Sequence, residues 1–418
     1  MKYERFENDT YDLYTIETSK FKSGHLEVVF RSEATKENMT YIALLMSILF
    51  ENSKKYPSKK LLARRLADLY NASINATSTR IGNTIITNAM IDFIDPVYTD
   101  MNTLEESIEL IFDMLLHPNA DKFEFDEQTF ERMKRDLAIE IEAIKEDPKG
   151  ASILEAIAEL CPEDPRSWSA QGDIETLSNI TPKKLYDFYR RFLETSPRDI
   201  YLIGNLDMKK MNKIIRKYAT FSSIATTDAE VYLPNIPVNK TRTVAVNKKV
   251  TQTNLVQLYT FANLTERERD YVVPLFNMIW GSGSLESKLY KSLRAEHSLC
   301  YNVNTYYQKY DRFIVLHTAV ADENVSLALK LIANSTASMR KGSIEEKELL
   351  DVVNLLETSL HMSLDNPNRL IDMYVFKNLI GLPDIEERID EIKTVKLKEI
   401  VGVAKKMKLA LTYKARGE

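Results

Sequence analysis

The sequence predicts an α+β protein made of two homologous halves, each a β-sheet with helices packed on one face, arranged as a bilobed clamshell. Three observations carry this expectation. Short strand-like apolar stretches alternate with longer helical ones along the chain. A strand–helix–helix–strand pattern in the first half returns in the second at an offset of about 230 residues. Between the copies, "FSSIATTDAEVYLPNIPVNKTR" (221–242) has no period and is rich in Ser, Thr, Asn and Pro, as a linker is. The expected division is 1–220, a linker over 221–242, and 243–418.

The elements follow in order. "HLEVVF" (25–30) reads as a strand. "TYIALLMSILFENS" (40–53) is apolar on nearly every side and reads as a buried helix. Ser58 is placed to cap the next helix, whose Leu62, Leu66 and Leu69 share a face. "NTIITNAMIDFI" (83–94) is a strand, and Thr103 with Glu106 predicts a capping box for the helix after it. A long helix over about 126–146 should stop at Asp147-Pro148. Thr181-Pro182 opens another helix, and "DIYLIGNL" (199–206) is a strand. In the second half, "NLVQLYTF" (254–261) answers the first strand and "DYVVPLFNMIWGSG" (270–283) the apolar helix. Residues 287–320 answer 58–91.

Composition narrows the function. The chain has 418 residues, long enough for two or three domains, and a formal net charge of -5 that gives no electrostatic case for nucleic acid. The longest apolar run, 41–50, is about half a membrane span, so no membrane segment is expected. Two cysteines, Cys161 and Cys300, make no disulfide framework and no CxxC pair, and the N-terminus has no apolar signal region. A cytoplasmic location is the expectation. The five histidines (His25, His117, His297, His317 and His361) are scattered, and none has a second histidine four residues on.

The second-half stretch "WGSGSLESKLYKSLRAEHSLCYNV" (280–303) combines a glycine-rich turn, a helix ending in Arg294 and a tyrosine, Tyr301, seven residues later. "IEIEAIKEDP" (139–148) carries Glu140 on a helix that ends at Asp-Pro. With the duplication, these segments resemble the family of pitrilysin, insulin-degrading enzyme and mitochondrial processing peptidase over nearly the whole chain. The resemblance is closest to bacterial small subunits that lack the zinc motif.

Active members of that family carry His-x-x-Glu-His on the first helix. Histidines one turn apart share a helical face and bind one zinc ion, and the glutamate takes a proton from zinc-bound water. Here Ala43 and Ser47 stand at the histidine positions and Met46 at the base. Alanine has no donor, serine is a poor zinc ligand, and methionine is no base. Glu140 matches the later glutamate ligand, as a vestigial position. No catalytic residue and no metal ligand set is therefore expected in this chain. The resemblance implies that Arg294 and Tyr301 bind substrate, reaching across the cleft toward a scissile carbonyl. A plainer reading makes Arg294 a helix C-terminal cation and Tyr301 a half-buried strand residue.

The leading expectation is a non-catalytic subunit of a zinc-peptidase heterodimer. A homologous zinc-bearing partner would hold the metal, and this chain would contribute Arg294 and Tyr301 to a peptide substrate. The alternative is a peptide-binding or scaffold protein that hydrolyses nothing.

Overall fold

The computed structural model describes residues 1–222 and 230–417; residues 223–229 of the expected linker, and Glu418, lie outside the described residues. The chain divides into two compact units, Met1–Ala143 with Ser169–Val231, and Ile144–Trp168 with Tyr232–Glu418.

The first unit opens with β1 (Lys2–Glu7), β2 (Asp12–Glu17) and β3 (Ser23–Glu33), followed by α1 (Lys36–Leu49) and α2 (Lys59–Asp68). Ser58 caps α2 as its sequence suggests, accepting from the Leu61 N–H at 3.4 Å. Strands β4 (Ser73–Ile81) and β5 (Thr84–Ile94) form a hairpin, and α3 (Met101–Leu116) follows. The cap of α3 is Asp100, which accepts from the Thr103 N–H at 2.8 Å. Thr103 is thus inside the first turn, and the predicted Thr103–Glu106 box does not form. A two-residue ladder, β6 (Ala120–Asp121) and β7 (Glu124–Phe125), precedes α4 (Glu127–Glu146).

The Asp147-Pro148 stop is real, but a new helix begins there at once. Asp147 accepts from the Lys149 and Gly150 N–H groups, and Pro148 opens α5 (Pro148–Leu160). After α6 (Ile174–Ser178), Thr181 and Pro182 start α7 (Pro182–Thr195), and β8 (Arg198–Gly204) and α8 (Met208–Tyr218) complete the unit. The sheet order is β1-β2-β8-β3-β5-β4. Its helix-covered face is aromatic: Phe30 meets Phe192 at 4.9 Å and Phe221 at 6.1 Å.

The second unit contains β9 (Arg242–Lys248), β10 (Thr253–Phe261), and a broken helical run with α9 (Val273–Asn277) and α10 (Lys288–Tyr290) inside it. Wide π-type turns flank these at Glu268–Val272, Met278–Ser282 and Lys291–Glu296. Pro274 lies in this run and has no N–H to donate, so regular α bonding is interrupted there. Then come β11 (Val303–Gln308), β12 (Phe313–Val320), α11 (Val325–Lys341), α12 (Glu346–Ser363), α13 (Pro367–Ile380), α14 (Ile385–Lys393), α15 (Leu397–Lys406) and β13 (Met407–Gly417).

The second sheet has the order β11-β12-β10-β13-β9. Read from the other end, the first sheet is β4-β5-β3-β8-β2-β1. Strand for strand these agree, including the one parallel pairing, β2 with β8 and β9 with β13; β1 alone has no counterpart. Helices cover one face of the second sheet, where Trp280, Phe276, Ile332 and Val403 join Leu255 and Tyr259 of β10. The other face is covered by α5, whose Ala156 and Ile157 pack on Val256, Leu258, Val315 and Leu411.

Residues 144–168, which the sequence reading assigns to 1–220, therefore group with the second unit. Arg166 anchors them there. Its buried guanidinium donates to Asp164 at 2.7 Å, to the Asp311 carbonyl at 3.1 Å, and to the Pro234 carbonyl. The later passage between units falls within 221–242. Val231 accepts from the Asn83 N–H of the first unit, and the Leu233 N–H donates to Tyr310 of the second.

In the first sheet His25 is buried between two carboxylates, with Nδ1 2.6 Å from Asp92 and Nε2 3.3 Å from Glu27. Burial alone would lower its pKa, but the hydrogen bonds to Asp92 and Glu27 outweigh that and raise it to about 9. A raised pKa means the folded state holds the proton more tightly than the unfolded chain. Its stabilisation, on the order of 2–3 kcal/mol, is complete below about pH 6.5 and is lost as pH rises through about 9. Denaturant titrations across that window should show this decline, and His25→Gln should flatten it.

Candidate functional site

Helix α1 begins at Thr35, whose side chain accepts from the Asn38 N–H, and buries Ile42, Leu44, Leu45 and Ile48. Ala43 and Ser47, one turn apart, are left partly exposed on the same face. They line an open cavity of about 520 Å3 together with Met46 and Glu140. The structure thus brings together all four positions singled out in the sequence, although Glu140 is far from Ser47 along the chain. Strand β4 supplies another wall through Asn75–Ser78. Helix α4 supplies Met133, Asp136 and Leu137 besides Glu140, residues spaced by three, four and seven along one helical face. That periodicity was available in the sequence, and it marks Met133, Asp136 and Leu137 as cavity residues that motif reasoning missed.

These residues do not fit a zinc ion. Ala43 offers no donor, the Met46 side chain is buried, and the Ser47 hydroxyl donates to the Leu44 carbonyl at 2.8 Å. Glu140 and Asp136, both carboxylates on α4, are the lining residues with a good zinc donor, and two carboxylates on one helix make no zinc ligand set. Among the described residues, no group of three or more His, Cys, Asp or Glu is arranged to hold a metal. His317 is buried with Nε2 2.9 Å from Asn254 Oδ1, and burial lowers its pKa to about 4. Burial pushes the Cys161 thiol up to about 11 and raises that of Cys300, so neither is an activated nucleophile.

Arg294 and Tyr301 are in contact. The helical run closes after Arg294: its carbonyl accepts from the Ser298 N–H at 3.0 Å, and the Leu299 N–H returns to Leu293 at 2.9 Å. Ser298 takes a left-handed φ of 52°, which reverses the chain. The Arg294 guanidinium then lies 4.3 Å from the centre of the Tyr301 ring and donates to the Tyr301 carbonyl. Tyr301 precedes β11 and is 76% exposed, so it is neither in the strand nor half-buried. Gly281 allows β11 to approach closely, because a Cβ there would lie 2.6 Å from Thr305 Cγ2. No helix among the described residues is long and apolar enough to cross a membrane.

Residues 179–356 match the family model described as the peptidase M16 inactive domain, a span that contains both Arg294 and Tyr301. Over 414 residues the chain is 24% identical to the "Probable inactive metalloprotease YmfF" of Bacillus subtilis (strain 168), covering 97% of this chain and 95% of that protein. Its fold matches the crystal structure of a conserved protein from Enterococcus faecalis V583 with a TM-score of 0.93 at 24% identity, covering 100% and 99% of the two chains. A peptidase M16 inactive domain from Pseudomonas fluorescens matches with a TM-score of 0.81 at 16% identity, covering 100% and 98%.

The shared cavity makes the missing ligands testable. Ala43→His with Ser47→His would set two imidazoles beside Glu140, a set suited to zinc. Elemental analysis of this double variant should find about one zinc per chain, and adding Glu140→Ala should remove most of it. With Ala43, Met46 and Ser47 at the motif positions, a stretch matching the M16 inactive-domain model and a full-length relative described as a probable inactive metalloprotease, the chain is similar to non-catalytic proteins of the M16, pitrilysin-type, peptidase family.

Proposed function

We propose that this chain is the non-catalytic subunit of a zinc-peptidase pair in the bacterial cytoplasm. A homologous partner with His-x-x-Glu-His holds the metal, and this chain supplies Arg294 and Tyr301 to the peptide bound there. The observation that carries the reading is the state of that pair. A large aromatic side chain is 76% exposed while an arginine is stacked on it and tied to its own carbonyl. A purely structural tyrosine gains stability by burying its ring, and this one does not. One guanidinium N–H is committed to the Tyr301 carbonyl, which orients the group, and the remaining donors are free for a developing oxyanion. The two cysteines are free and buried, in keeping with a reducing compartment.

A second reading keeps the peptide and drops the chemistry. Strand β4 ends its sheet and borders the cavity beside Ala43, the arrangement by which extended peptides add to a sheet edge. On this reading the chain binds peptides or scaffolds a partner without hydrolysis in any assembly.

Affinity capture from the native cell separates the two. A co-purifying homologue with the intact zinc motif is expected; its absence from every capture sinks the first reading. In the reconstituted pair, Arg294→Ala and Tyr301→Phe should each lower peptide turnover about a hundredfold while assembly and zinc content stay unchanged. Wild-type turnover in both variants would favour the scaffold.

A further inference from the structure

The second unit gathers a cluster of cations that involves neither Arg294 nor the α1 cavity. Several segments meet in it. The stretch before β9 gives Tyr232, the π-type turn at Glu268–Val272 gives Arg269 and Asp270, the β11–β12 turn gives Lys309, Tyr310 and Arg312, and α14 gives Arg388. Tyr232 and Tyr310 tie it together, with ring centres 5.3 Å apart. The Arg269 guanidinium lies 4.2 Å from the Tyr232 ring centre and that of Arg312 5.8 Å from it, while Lys309 Nζ is 5.5 Å from the Tyr310 ring centre. All of these residues are half-buried.

The charges do not balance. Arg269 donates to both oxygens of Asp270 at 2.9 Å, and Lys309 Nζ is 3.0 Å from one of them. Glu266 is exposed near Tyr232 and Arg269. Other acids nearby are turned or tied away: Asp311 lies near Cys161, and Glu391 pairs with Arg267. Four cations against Asp270 and Glu266 leave two positive charges over.

The donors are incomplete as well. Arg312 donates through Nη1 to Asn235 Oδ1 at 3.3 Å, but its Nε is buried without a partner. Among the described residues no ion pair or side-chain hydrogen bond holds the Arg388 guanidinium, which faces Tyr271, Tyr310 and Asp270. Burial pushes the pKa of Lys309 and of Arg388 down. Withdrawing a cation from water without a counter-ion is costly, and a buried donor left unmade marks the place of a missing acceptor.

We propose that this cluster binds a phosphoryl group, with Lys309 and Arg388 donating to its oxygens and Arg312 adding positive charge beside Tyr232. The Lys309 ammonium has donors to spare beyond Asp270, and the Arg388 guanidinium has its whole fork. A doubly charged phosphate cancels the excess of two, which a single carboxylate does not. Its oxygens also accept from donors that arrive from separate segments of the chain.

The test is calorimetric titration of the full chain at low salt, at a pH where inorganic phosphate is doubly charged. Phosphate should bind with a dissociation constant of about 1 mM or tighter, and acetate at matched ionic strength at least about tenfold more weakly. Arg388→Gln and Lys309→Met should each weaken phosphate by about tenfold. Phosphate should also raise the unfolding temperature of the unmodified chain, with little effect on that of Arg388→Gln. Glycerol phosphate separates the sources of the group. Tighter binding than the inorganic ion makes the ligand a phosphorylated small molecule, weaker binding makes it free phosphate, and both outcomes support the site. No saturable phosphate binding at about 10 mM, acetate binding as tightly as phosphate, or unchanged phosphate affinity in both variants would overturn the proposal.

Discussion

Strand β10 is buried at all nine of its positions, and the second sheet is organised by that fact. Side chains along a strand point alternately to its two faces, so a strand buried throughout needs cover on both. The helices that follow it in sequence cover one face. The other is covered by α5, recruited from a segment that lies between the first unit's α4 and α6. The chain must therefore pass between the units three times, after Ala143, after Trp168 and after Val231. Arg166 makes the excursion tolerable. It brings a charge into a buried position, but its partners there are an aspartate and two backbone carbonyls, so the cost of desolvation is met by hydrogen bonds. Glu155 adds a second tie from α5, pairing with Lys248 at 2.6 Å and accepting from Tyr413 at 2.5 Å.

This excursion is the part of the fold that the sequence hid. The duplication was legible because its signals are local: β3, β5 and α1 each have a recognisable counterpart at a constant offset. The agreement of strand order reaches further than those matches, to β2 with β9 and β8 with β13. Helix α5 gives a local signal too, an apolar face and an Asp-Pro start, but nothing local says which sheet it covers. The Asp100 cap was overlooked for a similar reason. Asp100 and Thr103 are both good capping residues, and only the backbone entering α3 decides between them. The wide turns around Pro274 and before His297 have no sequence signature beyond the proline itself.

The cavity beside α1 shows why an apolar helix at these positions holds no metal. A zinc site needs donors projecting from α1 into open space, with their own helix backbone already satisfied. Here Ser47 bonds back to its helix and Met46 packs inward, so α1 meets its neighbours as core on one side and as a bare wall on the other. The locations of Ala43, Met46 and Ser47 followed from a one-turn spacing that any helix enforces. Glu140 followed from resemblance alone, and its place on the same wall as Asp136 comes from the regularity of α4. Sequence spacing between α1 and α4 carried little information, because α2, the β4–β5 hairpin and α3 intervene.

Arg294 and Tyr301 depend on less. Their contact is set within eight residues, by a helical run that closes on Ser298 and by a guanidinium bonded to the backbone of the residue it stacks on. Such a local closure survives changes in distant packing, whereas a site assembled from three elements, like the cavity, does not. The tyrosine ring gains little from solvent, and its exposure is sustained by arginine stacking that also fixes the guanidinium. An arrangement that holds two donor-bearing side chains in one orientation reduces the ordering cost of binding before any ligand arrives. The two features therefore differ in kind: the cavity is assembled from α1, β4 and α4, while Arg294 and Tyr301 are held in a fixed relation by a local closure.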